Sequence, residues 1–245
     1  MNNGKTYPPV SEPAIRVVNL TRVYHLAGED VHALTDVSLE IMPRQMTAIV
    51  GRSGSGKTTM LNLIAGLDDP TAGEVWVLGQ QMKTLDEAAR LALRRDKLGF
   101  VFQSFGLLPL LTAEENVGIP LRMRNVSRKE RDERVAEALD WVGLTKRSHH
   151  RPYELSGGEQ QRVAVARALA SHPEVILADE PTGQLDSQTG RRLLDLMRRL
   201  VTERNITIVI VSHDPQVMQE ADVVHELRDG KLLETRLKGQ PVLAR

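Results

Sequence analysis

The stretch Thr47-Ala48-Ile49-Val50-Gly51-Arg52-Ser53-Gly54-Ser55-Gly56-Lys57-Thr58 decides the fold. Thr47 to Val50 is a short apolar run that stops at a glycine, the pattern of a strand buried on both faces of a sheet. Gly51 to Thr58 then fits G-x-x-x-x-G-K-[ST], and helical spacing runs from Thr58 to Gly66. Strand, glycine loop and helix together are the context in which this motif binds phosphate. Gly51, Gly54 and Gly56 let backbone N–H groups turn inward around Ser53 and Ser55, and the helix N-terminus adds positive potential. Lys57 supplies a point charge, the Thr58 hydroxyl can ligate Mg²⁺, and Thr59 can donate toward the α-phosphate. The loop does not say which chemistry follows, because kinases, GTPases and transport ATPases share it.

Working outward, Val175 to Leu177 and Thr207 to Val211 repeat the buried-strand pattern. Helical spacing follows over Arg191 to Arg204 and Pro215 to Ala221, so strands and helices alternate as in an α/β fold with a parallel sheet. Nearer the N-terminus, Ile15 to Tyr24, Val31 to Ile41 and Glu74 to Leu78 alternate in polarity, which predicts an antiparallel β portion. Ser127 with Glu130 makes a capping-box pattern ahead of Val135, Leu139 and Val142 on one helical face. Roughly 105–160 therefore reads as an inserted helical subdomain within one unit spanning 14–245. Residues 1–13, MNNGKTYPPVSEP, lack a signal-peptide pattern and read as a flexible tail.

Lys plus Arg and Asp plus Glu are equal at 32 each, so no whole-chain basic field points to nucleic acid, and no nucleic-acid partner is expected. The absence of cysteine excludes a disulfide framework and a thiolate metal site. No apolar run approaches the length of a spanning helix, so work at a membrane would require another chain to cross it.

Leu155-Ser156-Gly157-Gly158-Glu159-Gln160 heads the helical run Gln161 to Ala170, with Ser156 placed as an N-cap acceptor or a phosphate donor. Asp179 and Glu180 end the strand begun at Val175, either as solvated turn residues or as a metal ligand beside a general base. Gln103 lies between the core and the helical segment, and His213 follows the strand Thr207 to Val211. Asp186 can cap a helix, and Tyr24 is one of few aromatic residues in a chain with 3% of them. His149 and His150 are adjacent, yet no third ligand is spaced to join them in a metal site.

The phosphate loop and Leu155 to Gln160 together resemble the ABC ATPase family, and the likeness covers nearly the whole chain after Ile15. It implies a P-loop NTPase core of RecA-like type that binds ATP and Mg²⁺ and hydrolyses ATP. By the same resemblance, Ser156, Gly157, Gly158 and Glu159 belong to the signature that caps the γ-phosphate of ATP held by a second copy. Asp179 would hold Mg²⁺ through water, Glu180 would polarise the attacking water, and Gln103 would sense Mg²⁺ and γ-phosphate. His213 resembles the switch histidine, Asp186 the residue of the loop that crosses the dimer interface, and Tyr24 the aromatic that stacks on adenine. Arg44-Gln45 departs from the family's usual Gly-Glu turn, and Gln184 stands where relatives often carry Asn.

Phe102-Gln-Ser-Phe105, Leu107-Leu-Pro109, Glu115-Asn-Val117, Glu180-Pro-Thr-Gly183 and Ser212-His-Asp-Pro215 resemble the branch that serves macrolide export, lipoprotein release, antimicrobial-peptide resistance and cell division. That branch implies an integral membrane permease as partner and a cytoplasmic location on the inner face of the membrane. The apolar residues of Phe105 to Leu111 would either receive a permease helix or pack internally. A soluble ABC ATPase acting on nucleic acid or ribosomes is the alternative, although neither the coiled-coil insertion nor the second domain of such proteins is present.

Overall fold

The computed structural model of the protein describes residues 12–26 and 28–238. The tail expected at 1–13 falls almost entirely outside them. From the N-terminal side, β1 (Ile15–Leu26) and β2 (Glu29–Ile41) form a hairpin, and β3 (Met46–Val50) leads through the glycine loop into α1 (Lys57–Ile64). Then come β4 (Ala72–Val77), β5 (Gln80–Gln81), α2 (Glu87–Lys97) and β6 (Leu98–Val101). The helices α3 (Ala113–Met123), α4 (Arg128–Trp141) and α5 (Gly157–Ala170) precede β7 (Val175–Asp179). The alternation resumes with α6 (Ser187–Arg204), β8 (Thr207–Ser212), α7 (Pro215–Glu220), β9 (Val223–Arg228) and β10 (Lys231–Leu237).

Two sheets result. One is antiparallel in the order β2-β1-β4-β5; the other has the order β10-β9-β3-β8-β7-β6, parallel except for β10. The central strands β3, β7 and β8 are buried on both faces, as their apolar runs require. Along β3, Met46, Ala48 and Val50 enter one apolar cluster and Ile49 another; along β8, Ile208 and Ile210 part in the same way from Val209 and Val211. The first cluster takes Val117, Leu139, Val163 and Leu194 from α3, α4, α5 and α6. In the second, Met60 and Leu63 of α1 meet Ile15, Leu34 and Val75 of the antiparallel sheet. Each wholly buried side chain of this size contributes about 1.5–3 kcal/mol through burial. The carboxyl ends of β3, β7 and β8 therefore stand in fixed register, and the crevice beyond such ends is where open α/β sheets bind ligands.

In the helical segment, α3 starts in a full capping box, with Thr112 accepting from Glu115 N–H and Glu115 accepting from Thr112 N–H. At α4 only half of the expected box forms. Ser127 accepts from Glu130 N–H, while the Glu130 carboxylate turns to Arg134 at 2.5 Å, one helical turn on.

Candidate functional site

The phosphate loop closes on itself before any ligand is considered. Lys57 is buried, and its ammonium donates to the carbonyls of Gly51 and Arg52 at 2.9 and 3.0 Å, bridging the loop from below. Gly56 is the N-cap of α1 at φ 97°, and a Cβ there would lie 2.3 Å from the Ala33 carbonyl oxygen. Only glycine fits both the left-handed backbone and that approach. No side chain caps α1, so the first-turn N–H groups remain to receive an anion. The loop forms the floor of a cleft of about 690 Å³. Its walls bring together Ser53, Gly54, Gly56, Lys57, Thr58 and Thr59 with Gln103, Asp179, Glu180 and His213. Gly51 lies under the loop, its Cβ position 2.5 Å from the Ser55 hydroxyl, and Ser55 is buried there.

The carboxylates sit at the exit of β7. Glu180 adopts a left-handed backbone at φ 46°, its N–H donating to the Val211 carbonyl at 2.9 Å. A non-glycine residue there carries strain of order 1–3 kcal/mol, and such strain gathers at functional sites. The turn aims the side chain across to β8, where Ser212 Oγ donates to Oε2 at 2.9 Å and His213 Nδ1 meets Oε1 at 2.8 Å. Thr182 Oγ1 donates to Asp214 at 2.8 Å and ties the two loops together a second time.

Asp179 is half-buried, and burial followed by the neighbouring Glu180 charge pushes its carboxyl pKa up, against the hydrogen bond from Thr58 and the charge of Lys57. A cation at that point would oppose both effects by stabilising the carboxylate charge. Thr58 Oγ1 lies 3.4 Å from Asp179 Oδ2, so a hydroxyl and a carboxylate converge as hard oxygen donors of the kind Mg²⁺ takes. Among the described residues no group of three or more His, Cys, Asp or Glu could hold a metal by itself. The residues present thus fit an ion that shares its shell with phosphate oxygens and water. His149 pairs with Glu114 at 3.1 Å, and His150 meets Arg147 at 3.0 Å.

The signature is not in this cleft. Ser156 caps α5 in a full box with Glu159, and Ser156, Gly158 and Glu159 line a different hollow of about 630 Å³ beside Thr189 and Arg192. The Glu159 pKa is lowered, chiefly by the Ser156 backbone N–H. Gly157 lies between Phe105 and Leu185, its Cβ position 3.7 and 3.9 Å from them. Asp186 caps α6, accepting from Gln188 and Thr189 N–H at 3.0 Å each. Tyr24 is also outside the lining of the cleft. Its hydroxyl donates to Asp68 at 2.8 Å and the Arg22 guanidinium stands 4.4 Å from its ring centre, while its β2 partner Val31 does line the cleft.

A model of the ABC transporter family matches residues 34–183. This chain belongs to that family. An uncharacterized ABC transporter ATP-binding protein, MJ0796 of Methanocaldococcus jannaschii, is 46% identical over 230 residues, covering 92% of this chain and 98% of the relative. The macrolide export ATP-binding/permease protein MacB of Escherichia coli is 45% identical over 90% of this chain, which spans 34% of that longer protein. Among solved structures, a dimer of MJ0796 superposes with TM-score 0.84 at 44% identity over 91% of this chain and 98% of that one. A dimeric post-hydrolysis state of MJ0796 bound to ADP and Pi superposes with TM-score 0.82 at 43% identity over the same shares. The α/β architecture expected from the sequence is thus that of an ABC cassette.

Several residues shape the cassette's site in roles that their sequence context does not announce. Val31, His32 and Ala33 line the cleft from β2, with no local pattern to announce them. Ser212, Thr182 and Asp214 position Glu180 and His213; they stand in the stretches Glu180-Pro-Thr-Gly183 and Ser212-His-Asp-Pro215, which give no such role by themselves. Asn116 is wholly buried: its side chain bonds Leu108 N–H and the carbonyls of Leu108, Leu111 and Thr112, setting the loop that turns Leu110 outward at 82% exposure.

Proposed function

We propose that this ABC cassette binds ATP with Mg²⁺ in the cleft above Gly51 to Thr59 and hydrolyses it as one half of a head-to-tail dimer. The observation that carries the reading is the separation within one chain of the phosphate cleft from Ser156, Gly158 and Glu159. A signature that lies outside its own chain's phosphate cleft is left free to serve the phosphates of a second copy. The dimeric structures of MJ0796, one of them with ADP and Pi, support this arrangement.

In this reading the loop N–H groups, Lys57 and the α1 N-terminus grip the phosphates. Mg²⁺, held by Thr58, by Asp179 through water and by Gln103, would neutralise developing phosphate charge. Glu180 accepts from the attacking water; its two oxygens are engaged by Ser212 and His213, yet each keeps a second lone pair for that purpose. Ser156 and the Gly157 and Gly158 N–H groups of the second copy donate to the γ-phosphate, and Asp186 lies at the interface between copies. Tyr24, one strand over from Val31, stands at the adenine end. Association then depends on a γ-phosphate that satisfies donors of both chains, and its loss releases them.

The stroke is passed to an integral membrane permease, for export, extraction of lipoproteins or peptides, or transmission of force. None of the described helices is long and apolar enough to cross a membrane. An apolar groove of about 430 Å³, lined by Leu91, Phe100, Phe102, Leu108, Ile119 and Met123 and rimmed by Arg94 and Arg95, offers a seat for a cytoplasmic helix of that partner. Leu108 faces this groove while Leu107 packs inward. MacB, by name both ATP-binding and permease, supports a membrane partner. Such docking holds the cassette on the cytoplasmic face of the membrane. The test is Glu180→Gln: it should retain ATP binding, accumulate dimer in sedimentation, and lose about 10²–10⁴-fold in hydrolysis. Undiminished turnover would remove Glu180 from the role.

A further inference from the structure

Helix α5 begins with the signature turn at its N-terminus, and two of its side chains hold the backbone on either side of Gln103. Gln161 is fully buried, and its Nε2 donates to the Phe102 carbonyl at 3.3 Å. Arg167, six residues further on and so about 9 Å along the helix axis, donates through Nη2 to the Phe105 carbonyl at 3.0 Å and through Nη1 to the Gly106 carbonyl. Phe105 and Gly106 are both left-handed, at φ 62° and 59°, so the segment reverses sharply at the point where the guanidinium grips it. The Phe105 ring in turn lies against the signature at Gly157. Gln103 itself lines the phosphate cleft and has its amide 3.0 Å from the Cβ position of Gly183, next to the loop that carries Glu180.

We propose that Arg167 is a positioning residue that couples the two nucleotide sites of the dimer. Contact of Gln103 with the contents of its own cleft shifts residues 102–106, and Arg167 passes that shift to α5 and hence to the Ser156–Gly158 turn that serves the second copy. The inference rests on the dimer reading above. A guanidinium is suited to the task because its planar fork holds two carbonyls in fixed relation, which one ammonium cannot do as rigidly. By reciprocity, occupancy of the partner's site then acts back on Gln103.

The alternative is that Arg167 merely satisfies two carbonyls and stabilises the fold. Three measurements on the full chain separate these: ATP affinity of the dilute monomer with a fluorescent analogue, ATP-dependent dimerisation by sedimentation, and the Hill coefficient of hydrolysis against ATP. In Arg167→Met, monomer affinity should stay at the wild-type value while dimerisation weakens about tenfold and the Hill coefficient falls toward one. Arg167→Lys, which keeps the charge and a donor, should lie between, and it decides alone if the methionine variant fails to fold. Wild-type dimerisation and Hill coefficient in a folded variant would overturn the proposal, as would loss of monomer affinity in proportion to activity. If the wild-type chain itself neither dimerises with ATP nor hydrolyses cooperatively, the dimer reading falls and takes this inference with it.

Discussion

The Nδ1 atom of His213 lies 2.8 Å from Oε1 of Glu180. The two residues are 33 apart in sequence and end neighbouring parallel strands, β7 and β8, so the contact is set by strand register and by the left-handed turn at Glu180. To donate to the carboxylate, Nδ1 must carry its proton. A neutral ring then offers Nε2 only as an acceptor, so donation to a phosphate oxygen needs either the imidazolium or release from Glu180.

Ser212→Ala removes the second clamp on Glu180 and the acceptor of Asp214 N–H. We predict a fall in the hydrolysis rate of roughly two- to tenfold, the worth of one ordinary hydrogen bond, with ATP affinity little changed. Steady-state kinetics beside equilibrium nucleotide binding would check it; a drop in affinity equal to the drop in rate would count against a role confined to Glu180.

Gly183→Ala tests the placement of Gln103. The added Cβ would stand 3.0 Å from Gln103 Nε2 and 3.3 Å from the Glu180 carbonyl oxygen. The flexible amide can yield freely and the Glu180 carbonyl must give by only a few tenths of an ångström, so the melting temperature should fall slightly while hydrolysis falls strongly as Gln103 is pushed aside. Thermal unfolding and turnover on the same preparation give the answer, and unchanged turnover would show that Gln103 does not need this position.

His225 predicts how stability responds to acid. The ring is buried on β9 with Nδ1 2.9 Å from Thr235 Oγ1, and burial pushes its pKa down against an opposing contribution from the Glu40 backbone. Below the unfolded value of about 6.5 the unfolded chain binds more protons than the folded one. Stability from this group is therefore complete above about pH 6.5 and is lost as pH falls toward the depressed folded pKa. His225→Asn, which retains a polar partner for Thr235, should flatten the fall in melting temperature between about pH 7.5 and 5.5. An identical slope in wild type and variant would rule His225 out as its source.

What could be read along the chain was what is encoded locally. The run Thr47 to Val50, Gly56 before Lys57, and Ser156 before Glu159 each carry their conformational reason within a few residues, and all three take that form here. Helix α2 carries local signals of the same kind, since Asp86 caps it by accepting from Ala89 N–H and Arg94, Arg95 and Lys97 gather in its last turn, although Leu93 is its sole buried residue. Strand β9 gains its identity from pairing beside β3, across more than a hundred residues of intervening chain, whereas β10 folds back on β9 through the left-handed Asp229 and Gly230. Glu130 preferred Arg134 to the box its spacing suggested, since a charged neighbour one turn ahead outbids a backbone N–H that water can serve.

The sequence by itself determined the phosphate loop, the family and the residue types of the chemistry, because backbone propensity, capping and charge act over short spans. Three-dimensional packing, by contrast, brings Glu180 to His213 and Ser212, sets the signature outside its own chain's cleft, and has Gln161 and Arg167 grip the segment around Gln103. Those relations follow from the register of parallel strands and the packing of α5 on the sheet, and both depend on contacts between residues far apart in the chain.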